Sequence, residues 1–274
     1  MRRFFIMPLN VVIAWGALVT FMMAQAPAQM APAAEPPADL EVSLLDDLVA
    51  ANRVLAAKGV LDALGHVSVR DSHNPNRYWM SRSLAPALVT PSDIMEFDLD
   101  SNPLDRKGRA LYVERFIHGE IYKARPDVNA IVHSHSPTVI PFSVTKVPLQ
   151  PVLHNASFLS FGAPVFDTRT IAADSDLLIR SPALGAALAK TLGSTAAVVL
   201  LRGHGDAVVA SSLPDAVFRA YYTEINAREQ EQAIALGGKD VVYITPGEAA
   251  TREKEGHQSF ARSWELWKRE VMAK

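Results

Sequence analysis

The chain has 274 residues, of which 49% are hydrophobic, and this is long and apolar enough to form one large buried core. Its 27 Lys and Arg against 29 Asp and Glu leave a formal net charge of −2, which argues against nucleic-acid binding, because that function needs a basic face. The chain has no cysteine, so disulfides and thiolate metal ligands are excluded.

The N-terminal segment is predicted to be a secretory signal peptide at 1–28. Arg2 and Arg3 precede an apolar run at 9–23, and small residues follow, with cleavage expected after Ala28. The two arginines also resemble a twin-arginine export signal, although an ordinary positive n-region explains them as well. An uncleaved anchor is the alternative, since the run is near the lower length for a membrane span. The expected location is periplasmic or secreted, with no stable membrane anchor after cleavage.

A Pro/Ala-rich linker at 29–39 is predicted to precede one folded domain at 40–274. Proline fixes φ and lacks an N–H, so neither helix nor sheet is expected in the linker. Within the domain, hydrophobic periodicity and turn residues predict helices alternating with short strands. In chain order the predicted elements are a helix at 40–59, strands at 65–70 and 78–81, one or two strands within 86–100, a helix at 111–124, a strand at 128–135, a helix at 183–193, a strand at 196–202, a long helix at 212–237 and a last helix around Trp264 and Trp267.

Three histidines lie at the ends of two of these apolar strands. His133 and His135 end the strand at 128–135, and His204 follows the strand at 196–202 between two glycines. Residues i and i+2 of a strand face the same side, so His133 and His135 can direct two imidazoles at one point. Three converging imidazoles suit a divalent transition metal with open coordination positions, which is the catalytic pattern. The alternative is that they are ordinary surface or core histidines.

Six stretches together resemble the class II aldolase/adducin family, from about Leu40 to the C-terminus. They are GHVSVR at 65–70, LVTPS at 88–92, ERFIH at 114–118, RPD at 125–127, HSH at 133–135 and RGHG at 202–205. The resemblance implies a single α/β domain with a central, mainly antiparallel sheet flanked by helices on both sides. It also implies Zn²⁺, or another divalent ion such as Mn²⁺, Co²⁺ or Fe²⁺, held by His133, His135 and His204.

The resemblance further implies two catalytic groups. The family's acid/base is a carboxylate nineteen residues before the first metal histidine, which is Glu114 here, in the first turn of the predicted helix at 111–124. A helix dipole favours a carboxylate at that end. A second acid/base in the family is a tyrosine of the neighbouring subunit, and His154 stands at its position. His154 could shuttle protons or be an ordinary loop histidine. A homotetramer or another homo-oligomer is therefore expected.

Four expected substrate-binding residues, His66, Ser92, Asp93 and Tyr112, depart from the family's sugar-phosphate aldolases. Those enzymes have Asn at the position of His66, Thr-Gly at Ser92-Asp93, and two serines just before the catalytic acid, where this chain has Tyr112 and Val113. An aspartate repels a phosphate dianion, and two hydroxyl donors are lost, so a non-phosphorylated small-molecule substrate is predicted. The four side chains could instead contact a carboxylate, a diol or an aromatic ring.

The predicted function is that of a metal-dependent lyase. It would cleave a C–C bond of a hydroxy-carbonyl or hydroxy-acid compound by the aldolase route, through a metal-stabilised enediolate. Decarboxylation, epimerisation or dehydration at the same metal is the alternative within the family. A non-haem iron oxygenase could use the same histidines if iron replaced zinc. A non-enzymatic role, as in adducin, is opposed by the presence of Glu114 and all three histidines.

Overall fold

The computed structural model describes residues 38–255 and 257–273, and the predicted signal peptide lies outside them, as does the linker up to residue 37. In the described part, seven strands form one sheet: β1 His66–Arg70, β2 Arg77–Ser81, β3 Ile94–Asp98, β4 Ala130–Ser134, β5 Val165–Phe166, β6 Val198–Leu201 and β7 Gly205–Ala210. Their order is β3-β2-β1-β4-β7-β6-β5. Every neighbouring pair is antiparallel except β5 and β6, which are parallel.

Helices cover both faces of this sheet. They are α1 Ala38–Ala57, α2 Phe116–Ala124, α3 Ile140–Val144, α4 Pro182–Leu192, α5 Leu213–Gly237, α6 Pro246–Glu255 and α7 His257–Met272. Alternate residues of a strand point to opposite faces. Val132 of β4 therefore packs with buried residues of α1, α5 and α7, whereas its neighbour Ile131 packs with those of α2 and α4. The predicted α/β fold is thus confirmed.

Capping residues define the two helices whose bounds agree best with the sequence prediction. The Ser212 side chain accepts a hydrogen bond from the Asp215 backbone N–H at the start of α5. The Ser181 side chain accepts one from the Leu184 backbone N–H at the start of α4. Gly193 ends α4 with a positive φ of 70°, a conformation that glycine adopts without strain.

Among the described residues, no helix combines the length and apolarity needed to cross a bilayer.

The structure differs from the sequence prediction around two of the site residues. The helix predicted at 111–124 begins only at Phe116, and Glu114 precedes it in a 3₁₀ turn, with φ −93° and ψ 15°. Glu114 therefore lies not in the first turn of α2, as predicted, but two residues before this helix begins. Strand β4 ends at Ser134, so His135 lies one residue beyond the regular strand. β7 was not predicted, because its apolar residues follow the glycine turn at His204 too closely to be separated from it by pattern.

Gly205 starts β7 directly beside the backbone of Ser134 on β4. A β-carbon added to Gly205 would lie 1.9 Å from the Ser134 carbonyl oxygen, far inside van der Waals contact. We expect Gly205→Ala to lower the free energy of unfolding by about 1–3 kcal/mol, because the two strands must move apart. Thermal unfolding should show a loss of about 2–4 °C for each kcal/mol. Gly247→Ala is the control, since open space surrounds that position; equal melting temperatures for the two variants would contradict the close approach.

Candidate metal centre

Strand register places His133 in the middle of the sheet, between His66 of β1 and Ala207 of β7. Its side chain lies on the face covered by α2 and α4 and is fully buried. The Nδ1–H donates to the Asp206 backbone carbonyl at 2.8 Å. This hydrogen bond selects the tautomer whose Nε2 carries a lone pair, as metal-binding histidines require.

His135 and His204 reach the same point from the ends of β4 and β6. The His204 Nδ1–H donates to the Leu177 carbonyl at 3.1 Å, so its Nε2 also carries a lone pair. The Nε2 atoms of His135 and His204 lie 3.0 Å apart. Burial, together with the charges of His133 and His204, lowers the pKa of His135 to about 4, so this imidazole is neutral and available as a ligand at pH 7.

Glu114 closes the cluster from the turn before α2. Its Oε2 lies 3.5 Å from His133 Nε2 and 3.4 Å from His204 Nε2. Its Oε1 accepts a hydrogen bond from the Ile179 backbone N–H at 2.8 Å, which holds the carboxylate in place. Burial raises the pKa of the Glu114 carboxyl, but the neighbouring His133 and His204 rings outweigh burial and hold this pKa well below its usual range. Glu114 is therefore ionised at neutral pH.

These four side chains fit a divalent metal ion. One ligand atom from each of Glu114, His133, His135 and His204 lies within 4.8 Å of the other three. The His133 Nε2 atom is buried and has no hydrogen-bond partner among the described residues, although a buried polar atom normally has one. A cation at the centre of the cluster would satisfy this lone pair. Imidazole nitrogens with a carboxylate oxygen are ligands that zinc and several other transition metals accept.

A second layer of buried polar residues supports the histidines from the opposite face of the sheet. The Ser134 hydroxyl donates to Asp206 Oδ1 at 2.5 Å, and the Ser136 hydroxyl donates to Glu224. Burial raises the pKa of the Asp206 carboxyl to about 6. The same residue thus accepts from His133 through its backbone and from Ser134 through its side chain. The sequence does not predict this layer, although serines alternate with histidines at 133–136 and were a signal for it.

A cavity of about 350 Å³ opens beside the cluster. Two of the four expected substrate residues, His66 and Tyr112, line it together with Glu114 and His135. The rings of His66 and Tyr112 lie 4.4 Å apart between centroids. The rest of the wall is mostly apolar and comprises Ala63, Leu64, Gly65, Ser83, Leu84, Ala85, Leu111, Val113 and Leu178.

The other two expected substrate residues lie outside the lining of this cavity. Ser92 is exposed, and its hydroxyl is 2.9 Å from that of Thr90. Asp93 is buried and forms an ion pair with Arg82, with 2.6 Å between Oδ1 and Nε. Arg82 compensates the negative charge of Asp93, so Asp93 would repel a phosphate group less strongly than the sequence alone predicts. Contact of these two residues with substrate stays a prediction.

His154 lies apart from the metal cluster within its own chain. It begins a 3₁₀ segment, His154–Phe161, and lines a separate cleft with Arg219 and Arg252. This position does not bring its imidazole to the histidine cluster of the same chain. Its role as an acid/base at a neighbouring subunit stays a prediction, as does the homo-oligomer.

Comparison with known proteins agrees with this fold. Residues 46–230 match the Class II Aldolase and Adducin N-terminal domain. A decarboxylase of Talaromyces stipitatus, tropJ, is 41% identical over 239 residues, which is 80% of this chain and 90% of that protein. The 3,4-dihydroxyphthalate decarboxylase of Arthrobacter keyseri is 31% identical over 201 residues, covering 68% of this chain and 77% of the relative.

A solved structure, the L-fuculose 1-phosphate aldolase of Glaciozyma antarctica, superimposes with a TM-score of 0.69 at 25% identity. The match covers 88% of this chain and 93% of the aldolase. Sequence and structural similarity thus extend over most of the chain and include the histidine cluster within residues 46–230. The chain belongs to the class II aldolase and adducin family.

Proposed function

We propose that the protein is a metal-dependent decarboxylase of a small hydroxylated aromatic acid. The 41% identity to a decarboxylase over 90% of that relative's length carries this proposal. The second relative is named for an aromatic diacid with two hydroxyl groups, which suggests the substrate class. Decarboxylation is the alternative that the sequence predicts, and these relatives support it better than they support aldol cleavage.

The cavity suits such a substrate in size and polarity. A volume of about 350 Å³ lies at the lower end of the range for small-molecule sites. Leucine, valine and alanine side chains form most of its wall, and the His66 and Tyr112 rings offer flat surfaces for an aromatic ring. Glu114 and His135, which belong to the candidate metal centre, also line this cavity. An aromatic ring among the apolar groups would place its oxygen substituents next to the cluster.

His133, His135 and His204 would hold the ion, with the Glu114 carboxylate beside them. When bound, a divalent ion supplies positive charge that withdraws electrons from adjacent substrate oxygens. Glu114 is an ionised carboxylate whose Oε2 faces the cluster, so it can accept the proton of a substrate hydroxyl.

Glu114 then returns that proton to the ring carbon that loses carbon dioxide. The C–C bond to the carboxylate breaks, its electron pair stays with the ring, and the new C–H bond takes up the pair. The substrate hydroxyl recovers a proton from solvent, so one proton is consumed for each carbon dioxide released. The Ile179 N–H bond to Oε1 keeps the carboxylate oriented through both transfers.

The proposed activity is tested with purified protein loaded separately with Zn²⁺, Mn²⁺, Co²⁺ or Fe²⁺. We expect carbon dioxide and the matching phenol in equal amounts from 3,4-dihydroxyphthalate or a related hydroxybenzoic acid, with no oxygen consumed. L-fuculose 1-phosphate is the control for retro-aldol cleavage, and an oxygen electrode is the control for oxygenase activity. Aldehyde release from the sugar phosphate, oxygen uptake, or no carbon dioxide with any of the metals would contradict the proposal.

A further inference from the structure

A hydrogen-bonded chain of four buried side chains leads from the cavity into the protein interior. His66 Nδ1 lies 2.6 Å from His118 Nε2, and His118 Nδ1 lies 2.6 Å from the Ser68 hydroxyl. The Ser68 hydroxyl is 2.8 Å from the Tyr122 hydroxyl, which is the last group of this hydrogen-bonded chain. All four side chains are at least 98% buried. They lie on β1 and α2, so their spacing is set by regular structure.

Each link of this chain needs one donor and one acceptor. Two imidazole nitrogens at 2.6 Å cannot both carry a hydrogen, and they cannot both carry a lone pair. Burial, with the charge of His133 next in importance, lowers the pKa of His118 to about 3, so the ring is neutral and has a single N–H. The hydrogens can all point toward the cavity or all point toward Tyr122. In a third arrangement Ser68 accepts from both His118 and Tyr122, but its own buried hydroxyl hydrogen then has no acceptor among the described residues, which is unfavourable.

The buried end of the chain distinguishes the two arrangements. If the hydrogens pointed inward, Ser68 would donate to Tyr122, and the Tyr122 hydroxyl hydrogen would need another acceptor. Ser68 is the hydrogen-bond partner of that hydroxyl among the described residues, so the hydrogen would be buried and unsatisfied, which is unfavourable. If the hydrogens point outward, Tyr122 donates to Ser68, Ser68 to His118, and His118 to His66, and every donor inside the protein is satisfied.

The outward arrangement leaves one hydrogen at the cavity end. His66 accepts at Nδ1, so its hydrogen is on Nε2, and His66 lines the cavity beside Tyr112 and Glu114. The hydrogen bond of the His66 ring to another described residue is made by Nδ1, so the N–H at Nε2 is left for a ligand in the cavity.

We propose that His66 is a specificity-determining residue that presents a permanent Nε2–H donor to an anionic oxygen of the substrate, and that Ser68, His118 and Tyr122 are positioning residues that hold this tautomer. The identity of the ligand as an aromatic acid rests on the proposed function, whereas the tautomer does not. The anionic oxygen is that of a carboxylate or a phenolate, and both accept a hydrogen bond from a neutral N–H.

The tautomer can be observed directly in the unmodified, metal-loaded protein. Histidine ring nitrogens labelled with ¹⁵N give separate NMR signals when protonated and unprotonated, and His66→Gln identifies the His66 signals by their loss. We expect His66 and His118 each to be protonated at Nε2 and unprotonated at Nδ1. A hydrogen on Nδ1 of His66 would overturn the inference, whatever the enzyme's activity.

The positioning role is tested at Ser68. Ser68→Ala removes the hydroxyl that donates to His118, so a second tautomer of His66 should become detectable. Ser68→Thr keeps a hydroxyl at the same place and should keep the single tautomer. If the Ala and Thr variants show the same single tautomer as the unmodified protein, the hydroxyl does not set the direction of the chain.

The donor role is tested by ligand binding. Gln can place an amide N–H close to the position of the imidazole Nε2–H, whereas Leu has none. We expect His66→Leu to weaken binding of 3,4-dihydroxybenzoate by roughly tenfold or more, and His66→Gln to keep most of the affinity. Catechol separates the two sources of the anionic oxygen: equal weakening identifies a phenolate, and unchanged catechol binding identifies a carboxylate. Equal affinities of the Leu variant and the unmodified protein for both ligands would refute the donor role.

Failure of the proposed function gives a different result. A protein that releases no carbon dioxide but shows the Nε2–H tautomer and the Leu-specific loss of binding would retain this inference and lose only the reaction. A protein that releases carbon dioxide but carries the Nδ1–H tautomer of His66 would retain the proposed reaction and lose this inference.

Discussion

Replacing Glu114 with Gln is expected to reduce turnover by roughly 100-fold or more, which is the usual range for loss of a general acid/base. Gln keeps an oxygen that can accept from the Ile179 N–H, so the local backbone should remain in place. It cannot take up a proton at neutral pH, so proton transfer to the substrate carbon is lost. The measurement is the initial rate of carbon dioxide release at saturating metal.

Metal content must be measured on the same variant, because Oε2 of Glu114 lies close enough to the cluster to be a ligand. We expect Glu114→Gln to retain near-stoichiometric metal, since the three imidazoles remain. Glu96→Gln is the matched control, as that carboxylate pairs with Arg77 and lies on the edge strand β3, three strands from β4. Unchanged turnover in Glu114→Gln would assign this residue a structural role, and loss of metal would assign it to coordination.

Replacing His133 with Ala should weaken metal binding by at least about 100-fold and abolish activity. Loss of a residue that merely orients a metal ligand costs about 10–100-fold in affinity, and loss of the ligand itself should cost more. His133 is the most deeply buried of the three. Its Nε2 has no hydrogen-bond partner among the described residues, although a buried histidine that binds no metal would need one. Elemental analysis after dialysis, followed by activity on adding back metal, measures both effects.

The same result is expected for His135→Ala and His204→Ala, because all three imidazoles meet at one point. His73→Ala is the control, since that histidine lies in the turn between β1 and β2 with its side chain partly exposed beside Asp71. Stoichiometric metal in all three cluster variants would disprove the site. Removing metal from the unmodified protein with a chelator should reproduce their loss of activity, and restoring the ion should reverse it.

Local sequence signals predicted the elements that have their own start and stop residues. Ser212 and Pro214 at the start of α5, and Gly193 at the end of α4, act within one turn of the chain, so pattern alone locates them. Glu114 lacks such a signal. A 3₁₀ turn followed by a helix has nearly the same periodicity as one longer helix, so the sequence placed the residue inside the helix, although the structure places it before.

Export, the linker, the homo-oligomer and the role of His154 stay predictions. The predicted signal peptide at 1–28 lies outside the described residues, and a contact between subunits requires a second copy of the chain. His154 illustrates the second case, because its expected partner is the metal centre of another copy. The sequence motif supplied its spacing, and the structure adds only that it lies apart from the cluster of its own chain.

The sequence by itself determined the family, the mainly antiparallel α/β fold and the identity of the histidines at the candidate metal centre, because these depend on motifs and on local periodicity. Only the tertiary structure showed that Glu114 lies within 3.5 Å of two of those histidines, that Arg82 compensates Asp93, and that His118, Ser68 and Tyr122 continue from His66 into the core. The physical reason is that hydrogen bonds and charge pairs between distant segments depend on strand register and helix packing. His66 and His118 are fifty-two residues apart in the chain, and no local sequence pattern indicates that their ring nitrogens lie 2.6 Å apart.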